Sequence, residues 1–284
     1  MIRSLFFAPA NRPDLLAKMP RAAADCNVID LEDGTPEPDK QSARRALKER
    51  LDLVRAGQPR GMVCIRVNAP RSAHHFDDLR AAAQARPDGI VIPKLESPQE
   101  LTAAFAAMGA EEGAIAIVAG IESIRGVMDI NKLLAATRAV TAVYFGAEDF
   151  ASEMGARRTA AGLEVLYARS RVVLAARAAG IVAIDQAVGE VRDDERFRAD
   201  ACAGRELGFH GKICVTPRQV TLAHEAFTPT PEEIELARRM LAAYAQAVAH
   251  GQGTVVVDGM LVEGPLVKRA ESIVALAESL AQRA

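Results

Sequence analysis

Residues 114–122 (AIAIVAGIE) and 142–149 (AVYFGAED) decide the fold. Each is a short, nearly all-apolar run that ends in acid: Glu122 closes the first, Glu148 and Asp149 the second. Runs of this kind read as strands covered on both faces, as in a parallel sheet. Working outward, the same unit recurs at residues 4–9 (SLFFAP), 27–33 (NVIDLED), 62–68 (MVCIRVN), 89–96 (GIVIPKLE), 182–189 (VAIDQAVG) and, weakest, 211–216 (GKICVT). Helical patterns lie between them, at residues 40–55, 98–108 and 164–179; the last spaces Ala, Leu and Val at three and four. Eight strand units imply a (β/α)8 TIM barrel. An open doubly wound sheet competes, but it carries a Gly-rich fingerprint after its first strand, which Ala8-Pro9-Ala10-Asn11 does not supply.

The barrel and its site are expected to occupy residues 1–228, with an extension over 229–284. Thr230-Pro231-Glu232-Glu233 has the N-cap, the proline and the third-position Glu of a helix start. Ile234, Ala237, Met240, Leu241, Tyr244 and Val248 then mark one apolar face. Gly251-Gln252-Gly253 breaks that helix, Asp258-Gly259 signals a hairpin over 255–262, and 266–280 reads as a closing helix.

Composition excludes several functions. Half of the 284 residues are hydrophobic, enough for a large core, and the net charge of −2 gives nucleic acid no basic surface. With 4% aromatics and no Trp, ring stacking on bases is disfavoured. The four cysteines form no C-x-x-C pair and read as buried free thiols. No apolar run reaches membrane-spanning length and the opening residues do not read as a signal peptide, so a soluble, cytoplasmic protein is expected.

In a barrel of this kind the carboxyl ends of the strands face the active-site mouth. Polar residues there are Glu32, Asp33, Arg66, Asn68, Lys94, Glu96, Glu122, Glu148, Asp149 and Asp185. Glu122 and Asp149, ending adjacent strands, suit Mg2+, which takes few protein carboxylates and completes its shell with water or substrate oxygens. No His ends these strands, so zinc is not indicated. Gly146, Ala147 and Glu148 open a helix whose backbone N–H groups can take an anionic carboxylate. Arg66 offers a planar fork for a carboxylate or thioester oxygen, or else an ion pair with Glu32 or Glu96; its removal is not expected to disturb folding. Together these parts fit binding and polarisation of a 2-oxo acid. His74 and His75 read as surface residues, and no G-x-S-x-G context supports nucleophilic acyl transfer.

Over almost its whole length the sequence resembles the citrate lyase beta-subunit-like proteins of the HpcH/HpaI aldolase superfamily. The resemblance is carried by Arg3-Ser4-Leu5-Phe6-Phe7-Ala8-Pro9 with Asn11-Arg12-Pro13, Asp30-Leu31-Glu32-Asp33, Arg66-Val67-Asn68 and Pro93-Lys94-Leu95-Glu96-Ser97. It continues in Gly120-Ile121-Glu122-Ser123, Gly146-Ala147-Glu148-Asp149, Gly208-Phe209-His210-Gly211-Lys212 and Phe227-Thr228-Pro229. The resemblance implies Mg2+, with Mn2+ as a substitute, held by Glu122 and Asp149. It implies a substrate contact from Arg66; Glu122, Gly146, Ala147 and Glu148 are the further substrate-binding candidates. The reaction implied is cleavage or formation of a carbon–carbon bond between an acyl-CoA and a 2-oxo acid, as in citryl-CoA or malyl-CoA. Arg66 would stabilise enolate charge, and Glu263, where Asp is usual, would be the base, often supplied by a neighbouring subunit of a homotrimer or dimer of trimers. Three further readings stand beside it: the beta subunit of a citrate lyase acting on a carrier-protein thioester, an aldolase using free pyruvate, and a non-catalytic metal-binding paralogue.

Overall fold

Eight parallel strands close into a barrel in sequence order: β1 (Ser4–Pro9), β2 (Cys26–Asp30), β3 (Met62–Arg66), β4 (Gly89–Ile92), β5 (Ala116–Ile121), β6 (Val140–Phe145), β7 (Val182–Asp185) and β8 (Gly211–Cys214). The computed structural model describes residues 1–111 and 113–282. All eight expected strands are present, and β8 pairs back onto β1, which rules out the open sheet.

Strand periodicity sorts side chains into two apolar layers. Leu5, Val28, Cys64, Val91, Val118, Ala142, Tyr144 and Ile184 fill the barrel. Their neighbours Ile29, Ile65, Ile117, Ala119, Val143 and Phe145 face outward, against the helices. Helix Pro98–Met108 has its expected ends, and the helix expected over 164–179 runs Leu163–Ala179. Parity also relocates Asp185. Ile184 points inward, so Asp185 points outward, fully buried, and receives Arg169 Nε at 3.0 Å. Lys212, equally buried on β8, donates to the Gln186 carbonyl at 2.7 Å and to Asp200. This ionic cluster fastens the β7–β8 side of the barrel to helices Leu163–Ala179 and Asp194–Leu207.

All four cysteines are free. Cys26, Cys64 and Cys214 are buried as expected, but Cys202 is exposed on helix Asp194–Leu207.

The chain divides into Met1–Phe227 and Thr228–Ala284; the last two residues, 283 and 284, lie outside the described ones. In the smaller unit, Thr230 caps helix Pro231–Ala249: its N–H donates to Glu233 Oε2 at 2.8 Å, and the Glu233 N–H donates to Thr230 Oγ1 at 3.2 Å. Strands β9 (Val255–Val257) and β10 (Met260–Val262) form the expected hairpin, and helix Gly264–Ala281 follows. Ala237, Met240, Val262 and Ala270 make this unit's own small core.

Candidate active site

Continuing the inward parity of each strand beyond its end gives the site. On β5, Val118 and Gly120 point inward, and Glu122, two residues on, is 4% exposed. On β2 and β3 the register pairs Asp30 with Arg66. Arg66 donates Nε and Nη2 to the two Asp30 oxygens at 2.7 Å each and brings Nη1 within 2.9 Å of Glu32 Oε2. Of the two partners foreseen for Arg66, Glu32 is present; Glu96 pairs instead with Arg71. The guanidinium also lies over the Phe7 ring, 4.7 Å from its centroid.

Lys94 follows β4 with φ at 52°, a conformation uncommon for a residue with a Cβ and one that gathers at functional sites. Its ammonium donates to Glu32 Oε1 at 2.9 Å and lies 3.4 Å from Asp149 Oδ2. Burial opposes that charge, but Glu32, Asp33 and Asp149 hold the ammonium above the usual lysine range. Behind Glu32, buried Lys40 donates to the Leu31 and Glu32 carbonyls and to Asn68 Oδ1. His75 belongs to this scaffold: it is 1% exposed and bonds the Asn68 carbonyl through Nδ1, so it is not a surface residue.

Asp149 lies on helix Ala147–Glu153, which starts at once after Gly146. A Cβ on Gly146 would sit 2.5 Å from Glu122 Cγ, so only glycine lets the helix start this close to the Glu122 carboxylate. Glu148 on the same turn is exposed and turned away, accepting from Arg158 Nε at 3.0 Å. A cavity of about 380 Å³ opens here, lined by Arg71, Lys94, Glu96, Glu122, Ser123 and Asp149 among others. A larger one, about 750 Å³, lies at the opposite, amino-terminal end of β6 and β7, beside Thr137, Arg138 and Ile181. The smaller cavity is the functional candidate, because it holds Lys94, Glu122 and Asp149 converging at the carboxyl ends of the strands.

Carboxyl groups outnumber cations here: Asp30, Glu32, Glu122 and the half-buried Asp149 gather around Arg66 and Lys94. Burial opposes ionisation of Asp30, but Arg66 and the amides of Glu32 and Gly34 hold its carboxyl below the usual range. Burial and the Glu32 charge push Glu122 up to about 8, against the opposing pull of Arg66 and Tyr144. Glu32 is itself raised, by burial first. Glu32 Oε2 is buried and accepts no hydrogen bond, since Arg66 Nη1 approaches it off the N–H direction. Hard oxygen donors in excess of the cations, with Glu122 and Asp149 lining the cavity, fit a divalent cation such as Mg2+. Among the described residues no three Asp, Glu, His or Cys side chains gather to enclose a metal, so Glu122 and Asp149 would leave most of its coordination to water and substrate.

The Glu122 shift has a measurable consequence. A carboxyl raised from the ordinary 4.5 to about 8 keeps a proton in the folded state that the unfolded chain releases. Its stabilisation is full below about pH 4.5 and is lost as pH rises through 8. With metal chelated, going from pH 6 to 8.5 is expected to remove on the order of 3 kcal/mol through this group. Urea unfolding at both pH values, repeated on Glu122→Gln, reads the slope; an equally steep slope in the variant rejects the assignment.

Sequence reasoning missed Asp30, Phe7 and Tyr144. Tyr144 is 1% exposed and donates its hydroxyl to Glu122 Oε1. The available signal was parity: Asp30 is two residues before Glu32, and Tyr144 two before Gly146. Glu263 stands in the smaller unit, exposed at the N-cap of helix Gly264–Ala281, where its side chain makes no cap hydrogen bond.

The model of the HpcH/HpaI aldolase/citrate lyase family matches residues 3–217. The chain belongs to this family. Among its relatives is a citrate lyase subunit beta-like protein of Deinococcus radiodurans, 41% identical over 275 residues and covered to 96% on both chains. Another is a (3S)-malyl-CoA thioesterase of Cereibacter sphaeroides, 35% identical, with 98% of this chain and 95% of that one aligned. A solved family structure, CitE of Mycobacterium tuberculosis in complex with magnesium, acetoacetate and coenzyme A, superposes with a TM-score of 0.82 at 28% identity, covering 97% of this chain and 98% of that one. The barrel architecture is therefore that of the family. Among the described residues no helix is long and apolar enough to cross a membrane.

Proposed function

We propose that the chain is a Mg2+-dependent carbon–carbon lyase. It cleaves, or in reverse forms, a β-hydroxyacyl-CoA such as malyl-CoA or citryl-CoA, giving an acyl-CoA and a 2-oxo acid. The observation that carries this reading is the pairing of Glu122 with Asp149 in a cavity at the carboxyl ends of the strands, beside Arg66, in a family whose CitE member binds magnesium and coenzyme A.

Glu122 and Asp149 would hold Mg2+ through oxygen, and Mn2+ would substitute. When bound, the ion supplies Lewis-acid stabilisation of substrate oxygens. The chain's own residues do the rest. The N–H groups of Ala147 and Glu148, at the helix start after Gly146, orient the carboxylate of the oxo acid. Arg66 is fixed by Asp30 and faces the thioester oxygen, where enolate charge develops. In cleavage, Glu263 takes the hydroxyl proton, the carbon–carbon pair moves onto the thioester α-carbon as an enolate, and protonation of that carbon gives the acyl-CoA. In synthesis Glu263 takes the α-proton.

Glu263 of one protomer is assigned to a neighbouring protomer's mouth, with residues 229–284 packing there in a homotrimer or dimer of trimers. Glu263→Gln is expected to bind Mg2+ as wild type and to lose turnover by about 100-fold or more. Mixing it with inactive Glu122→Ala protomers should restore part of the activity; no recovery after verified subunit exchange rejects action in trans. Buried free thiols suit a reducing cytoplasm.

The decisive experiment incubates the protein with Mg2+ and malyl-CoA, citryl-CoA and their carrier-protein equivalents, read by mass spectrometry. A lyase releases acyl-CoA and a 2-oxo acid. Free CoA with an intact hydroxy acid would mean hydrolysis, the activity named for the Cereibacter relative, and would overturn the proposal.

A further inference from the structure

Tyr144 does more in the barrel than fill space. Its ring lies on the interior face of β6, edge-on to Phe7 with centroids 6.3 Å apart, and Phe7 in turn carries the Arg66 guanidinium on its face. So held, the ring points its hydroxyl at Glu122 Oε1. A Cβ on Gly120 would fall 2.5 Å from both Tyr144 Oη and Glu122 Oε1, so β5 has room for this hydrogen bond only because glycine stands there. The second oxygen, Oε2, points the other way, toward Gly146 at the head of the helix that carries Asp149. One oxygen of the carboxylate is taken by the protein and the other is offered to the mouth.

We propose that Tyr144 is a positioning residue that makes Glu122 a one-oxygen ligand and thereby sets the site's preference for Mg2+ over Ca2+. The inference rests on the assignment of Glu122 as a metal ligand. Mg2+ demands near-octahedral geometry at about 2.0–2.1 Å and takes carboxylate oxygens singly, whereas Ca2+ accepts six to eight oxygens at longer distance and readily takes both oxygens of one carboxylate. A carboxylate whose Oε1 is bound to a fixed phenol cannot turn both oxygens to one ion without breaking that bond. Released from the phenol, Glu122 can rotate and chelate, which weakens the small ion's geometry and suits the large one. Partners that orient a metal ligand change affinity about 10–100-fold when removed.

The test is calorimetric titration of Mg2+ and of Ca2+ into the full chain as wild type, Tyr144→Phe, Tyr144→Met and Glu122→Ala, with thermal melting as the check on folding. In Tyr144→Phe the Mg2+ Kd is expected to rise about 10–100-fold while the Ca2+ Kd holds or falls, so the ratio of the two shifts at least about tenfold. Tyr144→Met fills the space without a hydroxyl and should give the same shift if the Phe variant fails to fold. A tyrosine that served packing alone would weaken both ions alike, and an unchanged ratio in the folded variants overturns the inference. Glu122→Ala separates the two assignments. Mg2+ binding at wild-type strength there overturns the ligand assignment and the inference with it. Lost binding there, with an unchanged ratio in Tyr144→Phe, overturns the inference alone.

Discussion

Replacing Arg66 by alanine is expected to destabilise the barrel by about 3–5 kcal/mol and to lower turnover by about 100–1,000-fold. The expected stability loss departs from the sequence reading, in which this side chain could go without disturbing the fold. Arg66 is the bidentate partner of Asp30, whose side chain is 3% exposed, and it also faces buried Glu32. Its removal leaves buried carboxylate charge with no partner, the costly way to break an ion pair. Arg66→Lys separates the two effects. It keeps a charge near Asp30 but cannot bond both oxygens and the substrate as a planar fork does, so stability should largely return and turnover should not. Urea midpoints and steady-state rates of the two variants check this. Wild-type turnover in Arg66→Lys would show that charge alone matters there, and an unchanged midpoint in Arg66→Ala would show that Asp30 takes up a proton instead.

Glu122→Ala and Asp149→Ala are each expected to weaken Mg2+ binding by more than the 10–100-fold typical of losing an orienting partner, because each removes a ligand itself. Neither change should unfold the metal-free protein. Glu122 keeps a proton in the metal-free fold, so its removal strands no buried charge, and Asp149 is half-buried with Lys94 retained by Glu32. Titration calorimetry reads both affinities. Mg2+ binding at wild-type strength in both variants would reject the site.

The barrel was legible in the sequence because a strand buried on both faces writes its apolar character at every position, and eight such runs recur. The carboxylates at strand ends were legible for a related reason: a charge that terminates an apolar run is conspicuous. Partners were not. Asp30 sits inside its run, and its tie to Arg66 depends on the register between β2 and β3, which no local pattern states. Tyr144 reads as one more apolar strand residue until β5 is placed beside β6. Asp185 was misplaced because the chemistry of a strand's last residue is visible in sequence but the face it occupies is not. The resemblance to a known family supplied Glu263, which composition and spacing alone left as an exposed residue before a helix.

The seam of the barrel bears on how the molecule comes to exist at all. Strands β2 to β6 each pair with the next strand in sequence, and the charged groups of the mouth, from Asp30 to Asp149, all belong to that consecutive run. Closure instead joins Ser4 to Lys212, across nearly the whole length of the larger unit. Contacts between such distant positions meet their entropy cost before any reward, so closure is expected to be the slow event in building the structure. The groups of the mouth can therefore come into register on a growing sheet while its two edges are still open. An unpaired sheet edge invites aggregation, and it is the pairing of β8 with β1, from Ser4 with Lys212 to Phe6 with Cys214, that removes it.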